Sequence, residues 1–498
     1  MEYEAVIGLE IHAQLRTRAK LFCSCPNGRG GRPNSRVCPV CLGLPGALPV
    51  LNERAVDSAL AVAVALGADV SQTTGFARKS YFYPDLPKGY QITQKEQPLA
   101  RGGVVELAGG ARVRLRQIHL EEDAGKVVHR PDGDLDVSLI NMNRCGVPLV
   151  EIVTEPDIDS VEQADALLHE LSHLLVFLGV TDGRMHEGAL RFDTNMSLRD
   201  GPEAALGVPT EIKNLNSFRS VRRALRSEIE RQELLLEQGG SVTRETMLWD
   251  EAAERVLTMR SKEESNDYRY MPEPDLPVFT IDTARVERVR AEMPDTPDAI
   301  AERLDSRYGL GNALVAAVTA SPERVALFER TVGALVPSAL RTPAEVAHLT
   351  AAWVATVVPG IVVRAARDAS VAGGEDALYG DELASGLAAV LAARLRGELT
   401  EATARTLLER SLRDGGPVQA LIGDVSLSRI DDLPPLRETA RQVLRSHEDE
   451  LRRYLAGERR LRRFFMGEIM RLTEGRADPG VASAALDEEL SAAGGRGR

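Results

Sequence analysis

The run from Gln117 to Glu155 carries the densest set of groups that could do chemistry: QIHLEEDAGK and, after a short polar loop, INMNRCGVPLVEIVTEP. It places Glu121, Glu122, Asp123, Glu151 and Glu155 on or beside two strand-like segments. Side chains alternate across a strand, so an extended second segment turns Leu149, Glu151, Val153 and Glu155 to one face. Glu151 lies between Val150 and Ile152. Burying its carboxylate unpaired is costly, so it is either solvated at a sheet surface or held by a cation. An earlier run, Ala5 to Leu15, alternates in the same way, with Ile7, Leu9, Ile11, Ala13 and Leu15 on one side and Glu10, His12 and Gln14 on the other. A carboxylate and an imidazole two residues apart on a strand can reach one divalent ion or simply face water.

A second kind of chemistry sits between these runs. Four of the five cysteines crowd into CSCPNGRGGRPNSRVCPVC, as Cys23, Cys25, Cys38 and Cys41. Two close pairs of soft thiolates across a Gly/Pro/Asn-rich loop suit tetrahedral zinc, with unligated thiols as the alternative. Four sulfur ligands leave no open coordination position, so such a zinc fastens the loop 23–41 and is not a catalyst.

The elements that position these groups follow from patterning. Asn52 is placed to cap a helix that Gly67 ends, Ser160 with Gln163 to cap a long amphipathic helix closed by Gly179, and Ser217 to open a charged helix stopped by Gly239. Lys79 to Gln94 concentrates four aromatics with two lysines and two prolines, which reads as an ordered loop, either lining a site or pinned to the core by its tyrosines. EGALRFDTNMSLR turns Arg191, Asp193, Asn195, Ser197 and Arg199 to one face. EIKNLNSFRS then brings Lys213 and Asn214 at a strand end. In Met259 to Pro277, Arg260, Lys262 and Arg269 could meet phosphate or be ordinary surface charges. Glu, His, Asp, Asn and Arg offered from several strands suit a surface that holds a metal and the phosphates it neutralises. AGK at 124–126 lacks the remaining residues of a P-loop, so any nucleotide is held in another way.

Length, charge and apolar content bound the rest. A chain of 498 residues has room for two to four domains, and 61 basic against 74 acidic residues argue against indiscriminate phosphate binding. With no apolar run of membrane-span length and no signal-like start, a soluble cytoplasmic protein without a membrane partner is expected. From about Met293, Ala, Leu, Arg and Glu recur at helical spacing. The expected class is α+β: residues 1–292 with a mainly antiparallel sheet, an all-α domain at 293–410, and a small all-α tail at 411–498. The tail contains RRYLAGERRLRRFFMGEIMR, a basic amphipathic stretch that is either a solvated helix face or a contact for RNA phosphates.

Taken in order, VIGLEIH, SYFYPDLPKGYQI, IHLEEDAGK, NRCGVPLVEIVTEPD, EGALRFDTN, EIKNLNSFR and SNDYRYMPEPDLP resemble the B-subunit family of aspartyl/glutamyl-tRNA amidotransferases. The likeness is dense over the first 280 or so residues and looser from about Leu444. It implies a glutamine-synthetase-like cradle, a helical domain and a tRNA-contacting tail. It also implies an ATP- and Mg2+-dependent phosphorylation of the side-chain carboxylate of Glu-tRNA(Gln) or Asp-tRNA(Asn). Amidation by ammonia would follow, in a heterotrimer whose A subunit is an amidase and whose C subunit is small. By motif position, Glu10, His12, Glu121 and Glu151 become the magnesium and catalytic candidates, with Glu122 and Asp193 beside them. Lys79 and Lys88 become candidates for the ammonia route, and Arg191, Asp193, Lys213, Asn214, Arg260 and Arg269 for nucleotide or substrate contacts. The four-cysteine zinc site occurs in only some members and rests on this chain's own spacing. Phe192, Met271 and Cys145 stand where relatives commonly carry other residues, beside the polar positions and not at them. The competing expectation is a non-catalytic tRNA-binding scaffold within the same complex.

Overall fold

The structure, a computed structural model, describes residues 3–28, 30–132, 135–201, 203–251, 253–261, 268–369, 378–422 and 429–495. The chain separates into two compact units, Met1–Thr296 and Pro297–Arg498.

The first unit is built on a 13-stranded sheet, counted among the described residues. Its main path uses β1 (Glu4–Gln14), β2 (Ala77–Ser80), β3 (Tyr90–Thr93), β4 (Arg112–Glu122), β5 (Pro148–Thr154), β6 (Leu190–Arg199), β7 (Thr210–Leu215), β8 (Glu245–Asp250), β9 (Arg255–Ser261) and β10 (Met271–Pro272). These run in the order β9-β8-β7-β6-β1-β5-β4-β3-β2-β10. Along that path only β7 and β8 pair in parallel. β1 therefore lies in the middle, between β5 and β6.

Alternation decides which face of the sheet is apolar. Ile7, Leu9, Ile11 and Ala13 of β1, Ile118 and Leu120 of β4, Val150 and Ile152 of β5, and Leu190 and Phe192 of β6 all enter one core. Each large aliphatic side chain buried in this way contributes about 2 kcal/mol. Four helices supply the other half of that core: α1 (Glu53–Ala65), α2 (Val161–Phe177), α3 (Phe218–Glu237) and α4 (Thr283–Glu292). Asn52, Ser160 and Ser217 cap the first three as their residue types dictate. The box at Ser160 is only half closed, because Gln163 Oε1 accepts from the N–H of Asp159. Helical structure also begins earlier than composition suggests, since α4 belongs to the first unit and Arg285 pairs with Asp57 of α1. A one-sided core of this kind leaves the opposite face, with the even-numbered residues of β1 and the odd-numbered residues of β4, β5 and β6, free to be polar.

Lys79 to Gln94 contributes two paired strands, β2 and β3, joined by a loop at 81–89. A separate hairpin, Lys126–Asp132 with Leu135–Asn141, follows β4. The second unit is helical from Pro297 onward. Thr342 and Glu345 close a full capping box on the helix Pro343–Thr356. Leu436, Val443, Tyr454, Phe465, Ile469, Ala482 and Leu486 form a separate core among the last four helices. Among the described residues no single helix is long and apolar enough to cross a membrane.

Candidate cation and phosphoryl site

Antiparallel registration on the polar face makes a row across four strands. His119 of β4 lies opposite Glu151 of β5, Glu151 opposite His12 of β1, and His12 opposite Arg191 of β6. Directly paired side chains on one face are close neighbours. His12 Nε2 is accordingly 3.3 Å from Glu151 Oε2 and 3.7 Å from Glu121 Oε1, and His119 Nε2 is 3.0 Å from Glu151 Oε2. Ligand atoms of His12, Glu121 and Glu151 all fall within 4.8 Å of one another, a spacing that one ion can bridge. Two carboxylates fit a hard divalent cation such as Mg2+ or Mn2+, with water completing the shell; the imidazole matches the softer of the two better.

The charges are strongly coupled. Burial pushes Glu151 up, but the facing His119 and His12 imidazoles more than offset it and hold the carboxylate well below its usual range. Burial lowers His12, and the neighbouring Glu151 and Glu121 carboxylates overcome it, raising the imidazole to about 9. Burial and then the Glu151 charge push both Glu121 and Glu10 up. Five mutually repelling or attracting groups form a site whose protonation a cation would reset.

Glu10 stands outside the three-residue group, one pair along β1 and opposite Asp193. Asn195 Nδ2 donates to its Oε1 at 3.2 Å. Beside it, Lys213 Nζ lies 2.9 Å from Glu211 and 3.4 Å from Asp193. Burial opposes the Lys213 charge, and Asp193 and Glu211 overcome it, so the ammonium is held above its ordinary value. Arg191 donates to Asp123 at 2.9 Å. Asp123, only 2% exposed, also accepts from Gln14 at 2.9 Å. The side chains of Asn214 and Arg260 and the whole of Lys262 lie outside the described residues, and Arg269 is exposed at φ 42°.

The two lysines occupy opposite faces. Lys79 lies on the polar face, its ammonium 5.0 Å from the Tyr268 ring centroid and subject to the charges of Glu121 and Glu151. Lys88 instead pairs with Glu122 on the core side, in a cavity of about 220 Å³ lined by Phe22, Cys23, Cys41, Tyr90, Ile92 and Gly146. Glu121 and Glu122, adjacent in sequence, therefore serve different faces. Glu155 does not join Glu151: it lies just past the end of β5, where a bulge leaves Arg116 of β4 as the extra residue, and it pairs with Arg116 at 2.9 Å.

Cys23, Cys25, Cys38 and Cys41 bring their sulfurs within 4.8 Å of one another and could hold a structural metal. The Cys23 thiol and the buried Lys20 ammonium favour the Cys41 thiolate, which falls to about 4. Asn34 of the same loop donates to Ile140 O at 3.1 Å and accepts from Met142 N at 2.7 Å. Cys145 is buried beside the cluster, its thiol 3.1 Å from Cys41 O, and is not one of the four. Sequence reasoning does not single out His119, Gln117 or Glu211 as site residues, and it names Asp123 among the clustered acids without giving it a role. His119 shares the alternation that turns Glu121 to the polar face, which is the signal that could have found it.

The family described as GatB/GatE catalytic domain matches residues 5–287, and one described as GatB domain matches residues 348–490. A curated relative from Anaeromyxobacter sp. (strain Fw109-5), named as the B subunit of an aspartyl/glutamyl-tRNA(Asn/Gln) amidotransferase, is 42% identical over 98% of this chain and 99% of its own length. The chain belongs to the B-subunit family of these amidotransferases. Relatives of the same name from Moorella thermoacetica and Persephonella marina are 40% and 37% identical, each over 98% of this chain and all of their own length. Membership in a family of subunits makes the chain one part of a larger complex, an amidotransferase of the ligase class that acts on misacylated tRNA.

Proposed function

We propose that this chain activates the side-chain carboxylate of glutamate on tRNA(Gln), or of aspartate on tRNA(Asn), by phosphorylation from ATP, and then completes amidation with ammonia from a partner. What supports the reading is the convergence of His12, Glu121 and Glu151 on one face, flanked by Lys79, Arg191 and Lys213. A carboxylate is a poor electrophile because oxide is a poor leaving group. Attack of a carboxylate oxygen on the terminal phosphorus of ATP releases ADP and gives an acyl phosphate. Ammonia then adds to the carbonyl, phosphate leaves and a proton is lost, giving the amide. His12, Glu121 and Glu151 would hold the divalent cation, with Glu10 beside them; the ion supplies charge neutralisation on the phosphates. Arg191, fixed by Asp123, and Lys79 place positive charge where negative charge develops. Asp193, Lys213, Asn214, Arg260 and Arg269 complete the proposed nucleotide and acceptor-end contacts. Lys88 with Glu122, across the sheet, lies on the proposed ammonia route, which keeps water from the acyl phosphate.

Within the same proposal the first unit is a glutamine-synthetase-like cradle, the helical region divides near residue 410, and the final segment meets tRNA. Zinc is the metal of the four cysteines. The amidase and the small third protein, the A and C subunits, complete a cytoplasmic heterotrimer. Reconstitution with those partners, misacylated tRNA and labelled ATP tests the assignment. Glu151→Gln should abolish labelled phosphate transfer, by at least about 100-fold, with tRNA still bound. A variant that forms the amide at the parental rate would make the chain a non-catalytic scaffold.

A further inference from the structure

His119 touches none of the groups that would meet substrate, yet it is 5% exposed and placed directly opposite Glu151. Its Nε2 is 3.0 Å from Glu151 Oε2. The His12 imidazole approaches the same oxygen at 3.3 Å. On the other side of the ring, Gln117 Nε2 lies 3.2 Å from Nδ1. An amide N–H directed at Nδ1 favours the tautomer with its proton on Nε2, the proton that Glu151 accepts. Gln117, His119 and Glu121 alternate on one face of β4, and Thr93 donates to Glu121 Oε2 at 3.3 Å. Each carboxylate of the group thus has a protein donor on one side. A carboxylate held at one oxygen presents the other in a fixed direction, and outer partners of this kind typically account for about 10–100-fold in metal affinity.

We infer that His119, oriented by Gln117, is a positioning residue that fixes Glu151 for the divalent cation. The inference rests on the cation site proposed above. It gives the two imidazoles different roles: His12 faces the ion, and His119 acts through Glu151. Their places explain the difference, since His12 neighbours both carboxylates whereas His119, among the described carboxylates, pairs with Glu151.

The test uses the full chain with its partner proteins and Mn2+ as the probe, followed by electron paramagnetic resonance. Bound zinc and the melting temperature report that each variant is folded. Glu121→Gln and His12→Ala should abolish Mn2+ binding at the site. His119→Gln should weaken it about 10–100-fold, with zinc retained. Gln117→Ala, at a half-buried position, should weaken it by a smaller factor and serves if the histidine variant does not fold. In the complete reaction, His119→Gln should raise the Mg2+ concentration for half-maximal phosphate transfer while the rate at saturating Mg2+ recovers. A purely structural loss would lower the rate at every Mg2+ concentration. Unchanged Mn2+ affinity in both the His119 and Gln117 variants, with Glu121→Gln still abolishing it, overturns the inference alone. Unchanged affinity in Glu121→Gln and His12→Ala overturns the cation site and the inference with it.

Discussion

At the scale of single residues the site is a balance of charges that none of its members could keep alone. His12 is the clearest case, because Glu151, Glu121 and Asp193 all raise it while burial alone would lower it. An imidazole raised from about 6.5 to about 9 when folded gives stability that is fully present below the lower value and is lost as the pH climbs through the upper. The cation-free protein should therefore lose melting temperature between about pH 6.5 and about pH 9, the range set by these two values. His12→Gln should flatten that part of the profile. Cation binding runs the other way, because a ligating imidazole must first give up its proton. Affinity for Mn2+ should rise as the pH increases toward about 9, and a calorimetric titration that releases no proton near neutrality would contradict the assignment of His12 as a ligand. Asp123 shows a different use of burial: 2% exposed, it fixes Arg191 and Gln14 and leaves the guanidinium's remaining donors for a ligand.

At the scale of elements, the chain just after the cysteine loop approaches the aromatic loop closely at Gly43. Gly43 has φ +65°, and a Cβ there would collide with the Lys88 side chain. Gly43→Ala therefore combines a left-handed backbone strain of about 1–2 kcal/mol with displacement of Lys88 from Glu122. A melting temperature several degrees lower is expected, with zinc retained and amide formation slowed more than phosphate transfer. Phosphate transfer slowed equally would mean that Lys88 acts on the cation face. Much of this arrangement is legible in the chain. Alternation alone puts Glu10 and His12 on a polar face and gives Glu151 a shared face, and the caps at Asn52, Ser160 and Ser217 set helix starts. Strand order is not legible, since the pairing of His12 with Glu151 spans more than a hundred residues and no local propensity encodes it. Nor is the bulge at Arg116 of β4, opposite Val153 and Thr154, which no adjacent Gly or Pro announces. Glu155, which strict alternation groups with Glu151, pairs with that extra residue instead. Adjacent acids pose the opposite problem: Glu121 and Glu122 look equivalent as letters, and only the pleat sends them to different sides.

For the whole molecule, the question is how an acidic chain of net charge −13 engages an RNA. The basic stretch at 452–471 would suggest a strong phosphate patch, but its charge is largely spoken for. Arg452 pairs with Asp449, Arg453 and Arg460 with Glu458, Arg462 with Asp487, and Arg471 with Glu468. Exposed pairs of this type are worth about 0–1 kcal/mol each, so a phosphate can take an arginine from its carboxylate at little cost. Arg462 is different, since it also donates to Ser483 and ties two helices of the tail core together. Arg463 and Arg459 are exposed, the latter over the Tyr454 ring at 5.0 Å. Charge reversal separates the two roles. Arg463→Glu should weaken tRNA binding by the assembled complex and lower the slope of log affinity against log salt by about 1 for each phosphate no longer engaged, with the melting temperature unchanged. Arg462→Glu should lower the melting temperature of the tail. An unaltered salt slope for both Arg463→Glu and Arg459→Glu would remove the tail from the tRNA interface and leave the first unit to bind the acceptor end by itself.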